Sequence, residues 1–189
     1  MKLRSVLMLA LPMLVGACGY NNIQTMDERA AAAQKQISVQ LQRRADLVPN
    51  LVNTVKGYAA QEAEVFETVA KARAGLAGAV SGGNVTEMAN ANQNLTGALG
   101  RLLAISENYP QLKSDQAFMR LQDELTGTEN RIAVARTDYN SAVQDYNAYI
   151  RKFPAVMTAK VTGAKPRDYF DVTNPGAREV PTVDFTKKP

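Results

Sequence analysis

Arg43, Asp46, Asn50, Asn53 and Gly57 follow one another at steps of three, four, three and four residues. On a helix they lie along one side and form a polar stripe. Glu129, Arg136, Asn140 and Asn147 recur at steps of seven, four and seven and form a second. Side chains of these types can serve in three ways. They can hold helices in register through hydrogen bonds, as buried polar residues do in some bundles. They can line a groove for a partner. They can place carboxylates for acid–base chemistry, which needs a shaped pocket with tuned acids, and no pattern in the chain points to one. A structural ladder is the reading the sequence favours, with a partner groove next.

The rest of the composition narrows the chemistry. The chain of 189 residues has no His and one Cys. Ser-His-Asp and Cys-His arrangements, His-ligated zinc and the Glu-x-x-His di-iron motif are therefore out of reach. An internal disulfide and a multi-cysteine metal site are excluded as well, and no cofactor is expected. The formal charge of +4 falls to +2 once Lys2 and Arg4 are set aside. Cations and anions are interspersed, so no basic block marks a nucleic-acid surface. Asp-Tyr-Asn occurs at 138–140 and again at 145–147, one heptad apart, which puts both tyrosines on one face. Core tyrosines with hydroxyls at the helix edge are favoured there over stacking on a glycan, since the chain lacks Trp. Glu67 and Lys71 sit at i,i+4 on a solvated face.

The single cysteine stands at an informative place. Lys2 and Arg4 precede an apolar run from Val6 to Leu14, and Val15-Gly16-Ala17-Cys18 follows. The charged start and short apolar run have the form of a signal peptide. A membrane-spanning helix needs about 20 apolar residues, and this stretch is shorter and contains Pro12. Val15–Cys18 resembles the bacterial lipobox, which implies cleavage after Ala17 and acylation of Cys18, with the acyl chains tying the protein to a lipid membrane. An uncleaved amino-terminal anchor is the alternative. Gly19 would not retain the chain in the inner membrane, so a Gram-negative host would permit outer-membrane placement.

These residues must be positioned by helices. An apolar stripe through Ile37, Leu41, Ala45, Val48, Val52, Val55, Ala59, Phe66, Val69 and Leu76 steps mostly by three and four. Its phase runs on through Pro49, which predicts one long kinked helix. Ser81-Gly82-Gly83-Asn84 reads as a turn. A second helical stretch from Thr86 to Ile105 ends before Tyr109-Pro110. Ser114 is the expected N-cap of a last long helix. Along that helix Phe118, Leu121, Leu125, Thr128, Ile132, Ala135, Tyr139, Ala142, Tyr146, Tyr149 and Phe153 make a bundle seam. After Pro154 a short helical piece reaches about Lys160. From Gly163 onward, Pro166, Pro175 and Pro181 predict a non-helical tail. The divisions are 1–17 signal peptide, 18–22 lipidated end and tether, 23–160 helical bundle, and 161–189 an extended or partly disordered tail. The fold class is all-α, an elongated antiparallel up-and-down bundle.

Several segments together resemble the LemA family. Arg43-Arg44-Ala45-Asp46-Leu47-Val48-Pro49-Asn50-Leu51-Val52-Asn53-Thr54-Val55-Lys56-Gly57-Tyr58 is similar to its first signature. Later ones are matched by Tyr109-Pro110-Gln111-Leu112-Lys113, Leu121-Gln122-Asp123-Glu124-Leu125 and Thr128 to Arg136, then Asp138-Tyr139-Asn140, Tyr146-Asn147 and Phe153-Pro154. The resemblance runs from about Gly19 to Phe170. It implies a helical bundle tethered at its amino terminus and exposed on the non-cytoplasmic side, and it brings no catalytic residue or cofactor. Many members carry a membrane-spanning helix where this chain has a lipobox. The function read from the sequence is a membrane-tethered, non-enzymatic scaffold or interaction protein of the bacterial envelope. It would have an unknown protein partner and a seam that permits self-association. The alternative is an envelope small-ligand binder or hydrolase using the polar stripes.

Overall fold

The first apolar stripe builds one continuous helix, α1 (Lys2–Lys56), in the computed structural model. The structure describes residues 2–172, with side chains from Gly19 onward. The Cys18 side chain and the tail beyond Val172 lie outside the described residues. After α1 come α2 (Ala63–Gly82), α3 (Val85–Ile105), the short α4 (Pro110–Lys113), α5 (Gln116–Tyr149) and α6 (Ala155–Thr162), with no strand among the described residues. The expected all-α bundle is what forms.

Contacts between helices fix the topology. Arg73 of α2 reaches Ala45, and Gln34 reaches Gly83, so α2 runs antiparallel to α1. Ser38 meets Met88, and Arg44 meets Asn92, so α3 returns parallel to α1. Arg43 pairs with Glu124, Tyr58 with Asp115, and Asn22 with Tyr149, which sets α5 antiparallel to α1. Four helices thus go up, down, up and down. The long pair α1 and α5 continues past the α2–α3 turn, and at that lower end α6 and residues 164–172 pack against it.

Two local details differ from the sequence reading. The apolar stripe predicts one kinked helix through Leu76, yet α1, continuous through Pro49, stops at Lys56. Proline lacks the N–H that would bond the carbonyl four residues back. That carbonyl, Ala45 O, accepts instead from Arg73 Nε at 2.9 Å. The real break follows Gly57, where Val55 O accepts from the amides of both Tyr58 and Ala59, at 3.0 and 2.9 Å. The stripe persists beyond it because α2 folds back and buries Phe66, Val69 and Leu76 in the same core. The second detail concerns the start of α5. Asp115, not Ser114, is its N-cap, accepting from the amides of Ala117 and Phe118 at 2.8 and 2.9 Å. The Ser114 hydroxyl donates backward to Gln111 O, which leaves the carboxylate to face the positive helix end.

The α2–α3 turn follows its composition. Gly83 ends α2 at φ +73°, where a side chain would be strained, and the Asn84 side chain accepts from the Glu87 amide. The main core runs through Leu41, Leu51, Leu76, Leu95, Leu102 and Leu112, all fully buried. A smaller cluster of Ile23, Tyr146, Ile150 and Ala159 closes the lower end. Residues 19–22, read as a tether, are helical and continuous with α1. Gly19 is buried there, and a Cβ on it would come within 3.1 Å of Thr158 Oγ1.

Candidate functional site

The two polar stripes do not face each other. Asp46, Asn50 and Asn53 are exposed, and the Asp46 carboxylate accepts only from Gln42 one turn earlier, at 2.9 Å. Arg43 forms a surface ion pair with Glu124. The neighbouring Arg44 is the buried member of α1, with a relative exposure of 5%. Its Nη1 donates to Asn92 Oδ1 of α3 and lies 2.6 Å from Glu129 Oε2 of α5. One guanidinium therefore joins three helices through the middle of the bundle. The contact with Glu129 is an ion pair without aligned hydrogen-bond geometry, so Glu129 Oε2 and Arg44 Nε have no hydrogen-bond partner. Burial pushes the Arg44 pKa down and the Glu129 charge opposes that; arginine stays charged throughout.

Position 44 was legible in principle. Residues 37, 41, 44, 48, 51 and 55 share the core phase of α1, and 85, 88, 92, 95, 99 and 102 share that of α3. A polar residue on an apolar phase is the signal for a buried polar contact, and it falls on Arg44 and Asn92.

The triad lies beside a groove. Helices α3 and α5 do not close on each other along their length, and between them is an open space of about 610 Å³. Asn92, Gln93, Glu129, Arg136, Asn140, Ser141 and Gln144 line it, with Tyr169, Phe170 and Val172 at its lower end.

Those last residues belong to an extended segment laid on α5. Asn147 accepts from the Arg167 amide at 2.8 Å and donates to the Arg167 carbonyl at 2.9 Å. Asn140 does the same for Phe170, at 2.8 and 3.3 Å. Each amide side chain thus stands in for a neighbouring strand. The spacings agree, since seven residues of helix span about 10.5 Å and three extended residues about 10 Å. Between the two clamps, the Tyr139 hydroxyl donates to Asp168 O at 2.8 Å. Arg167 makes a bidentate pair with Asp27 of α1, at 2.7 and 2.9 Å, which raises the Arg167 pKa further. Arg136 contacts Asp171 only loosely, at 3.7 Å across an exposed surface. Both heptad-spaced tyrosines are in the core, and burial is the main cause that raises their pKa values. Asp27 and Arg167 carried no periodic signal; their pairing depends on the tail folding back.

Among the described residues, no group of three or more His, Cys, Asp or Glu side chains is placed to hold a metal ion. No helix among them is long and apolar enough to cross a membrane. Residues 33–185 match the model of the LemA family. The magnetosome protein MamQ 2 of Paramagnetospirillum magneticum is 32% identical over 176 residues. The magnetosome protein MamQ of Magnetospirillum gryphiswaldense is 32% identical over 174 residues. Each alignment covers 80% of this chain and 64% of the relative, so the chain spans less than two thirds of the length of these relatives.

Proposed function

The chain belongs to the LemA family, and on that premise we propose that it is a non-enzymatic helical scaffold that presents the α3–α5 groove to a protein partner. It is tied to a membrane of the bacterial envelope by acylated Cys18 and faces the non-cytoplasmic side. The groove is the observation that carries this reading. It is open and lined by polar and apolar side chains in equal measure, and Glu129, the one carboxylate among its described lining residues, is committed to Arg44. Acid–base catalysis needs a positioned, tuned acid free to meet a substrate; a surface for hydrogen-bonded docking needs only what the groove offers.

Two measurements test the two halves. Intact mass of the protein from its native membrane is expected to match residues 18–189 plus an acyl adduct, and Cys18→Ala is expected to lose both adduct and membrane retention. A photo-crosslinking residue at Gln93 is expected to give a light-dependent adduct with one partner protein, while the same probe at exposed Lys71 gives none. Absence of any Gln93 adduct in the native envelope would sink the scaffold reading. The continuity of α1 across residues 2–22 favours one second reading, a retained amino-terminal signal anchor. A mass that still includes residues 1–17 would establish it.

A further inference from the structure

On α5, Gly127, Arg131, Val134 and Asp138 recur at steps of four, three and four and form a ridge away from both the core and α3, and Ser141, the next step of three, stands where the ridge meets the edge of the α3–α5 groove. Val134 stands 62% exposed at its centre. Arg131 and Asp138 flank it at nearly equal distances, and neither has an ion-pair partner among the described residues. Opposite charges placed symmetrically about an apolar centre are self-complementary under a two-fold rotation.

We propose that this ridge pairs with the same ridge of a second copy, with the two α5 helices antiparallel and the two-fold axis beside Val134. Arg131 of each copy then meets Asp138 of the other, forming two ion pairs about a Val134 contact. Gly127 of one copy, over which the Arg131 guanidinium of that copy lies, comes opposite Ser141 of the other. A parallel pairing would set Arg131 against Arg131 and Asp138 against Asp138, so charge selects the antiparallel arrangement. Farther from the axis, Asp145 of one copy approaches Glu124 of the other, whose charge is already matched by Arg43. Beside the ridge lies a concavity of about 500 Å³ bordered by Ala33, Gln36 and Gln40 of α1. The amino-terminal ends of the two α1 helices point in opposite directions in this pair, so two chains each anchored at Cys18 pair with their bundles lying along the membrane rather than standing on it.

The test is a cysteine at the axis in the otherwise intact chain. Under mild oxidation, Val134→Cys is expected to give a disulfide-linked dimer at least about tenfold above Glu107→Cys, an exposed position off the ridge. The parent chain, whose one cysteine is Cys18, sets the background. Adding Arg131→Asp or Asp138→Arg to Val134→Cys is expected to abolish the dimer, and adding both to restore it with the charges exchanged. The proposal is overturned if Val134→Cys links no better than Glu107→Cys, if it links only to a different protein, or if the charge reversals leave the yield unchanged.

Discussion

The upper part of the bundle, where α1, α2, α3 and α5 run side by side, is held by a continuous apolar core from Leu41 and Leu76 to Leu102 and Leu112. Toward the lower end α2 and α3 have turned back, and only α1, α5 and the short α6 remain, with four buried residues in their own cluster. The deficit there is met by polar side chains gripping a backbone, Asn140, Asn147 and Tyr139 on residues 167–170 and Asp27 on Arg167, while of that segment the Phe170 side chain is buried in the main core. Apolar burial is non-directional and spreads over many contacts. A clasp of single hydrogen bonds is directional, so removing one member frees one peptide unit. The upper region should fail as a whole, and the lower one piece by piece.

The largest effect is expected from Leu41→Ala, a fully buried α1 side chain of the main core. The lost contacts and the residual cavity cost about 2–5 kcal/mol, read as a shift of the single denaturant midpoint for the whole bundle. Asn147→Ala should cost about 1–3 kcal/mol, because the Arg167 amide and carbonyl lose their partner together. Its signature is local: hydrogen exchange quickens at residues 167–170 while the amides of α2 and α3 keep their protection. If Asn147→Ala instead lowers the global midpoint as Leu41→Ala does, the two regions are one cooperative unit and the contrast fails.

The bond from Arg73 to Ala45 O offers a finer test within the upper region. Arg73→Met leaves a carbonyl without its donor, at a cost of about 1–2 kcal/mol. Pro49→Ala restores the backbone donor four residues on, so it should recover most of that loss in the double variant. Equal losses in the presence and absence of Pro49 would show that Arg73 contributes through packing alone.

The same contrast explains how much was legible in the sequence. The seam from Phe118 to Tyr146 follows from local periodicity and is found as read, whereas of the turn read at Ser81-Gly82-Gly83-Asn84 only Gly83 and Asn84 leave the helix, because α2 runs on through Gly82. Where a residue's role depends on a distant partner, the sequence ran out. The donor that replaces the missing Pro49 N–H is Arg73, which lies 24 residues away. Asn140 and Asn147 stood out by their heptad spacing, yet their work is to hold an extended segment rather than to face Asn50 and Asn53, which stay in solvent. Tyr149 is half-buried and Phe153 is exposed, because the seam frays where α5 ends and the chain turns at Pro154, and Leu121 near the start of α5 is half-buried as well. Periodicity assigns a side chain to a face, but it does not say what will be brought to that face.

The mildest perturbation, pH, should separate the two ends of α5 without any substitution. At the upper end the Asp115 carboxyl is held below its ordinary value by the Phe118 amide first and the Tyr58 hydroxyl next. A depressed carboxyl stabilises the folded state above its unfolded value and loses that contribution as pH falls through the folded one. Acid should therefore fray the start of α5, seen as faster exchange at Ala117 and Phe118, and Asp115→Asn should flatten that acid limb. At the lower end burial raises the Tyr139 hydroxyl above the ordinary tyrosine value of about 10. A raised acid contributes its stability below the unfolded value and loses it as pH climbs through the folded one. Alkali should thus release residues 167–170 first, and Tyr139→Phe should remove the share of that alkaline limb that Tyr139 contributes, leaving the share from buried Tyr146, while weakening the clasp slightly at neutral pH. Tyr58 is raised as well, by its bond to Asp115, so Tyr58→Phe is the control that isolates the exposed upper contact. Should acid and alkali loosen both ends of α5 together, the clasp would be an extension of the core rather than a separate layer of interactions.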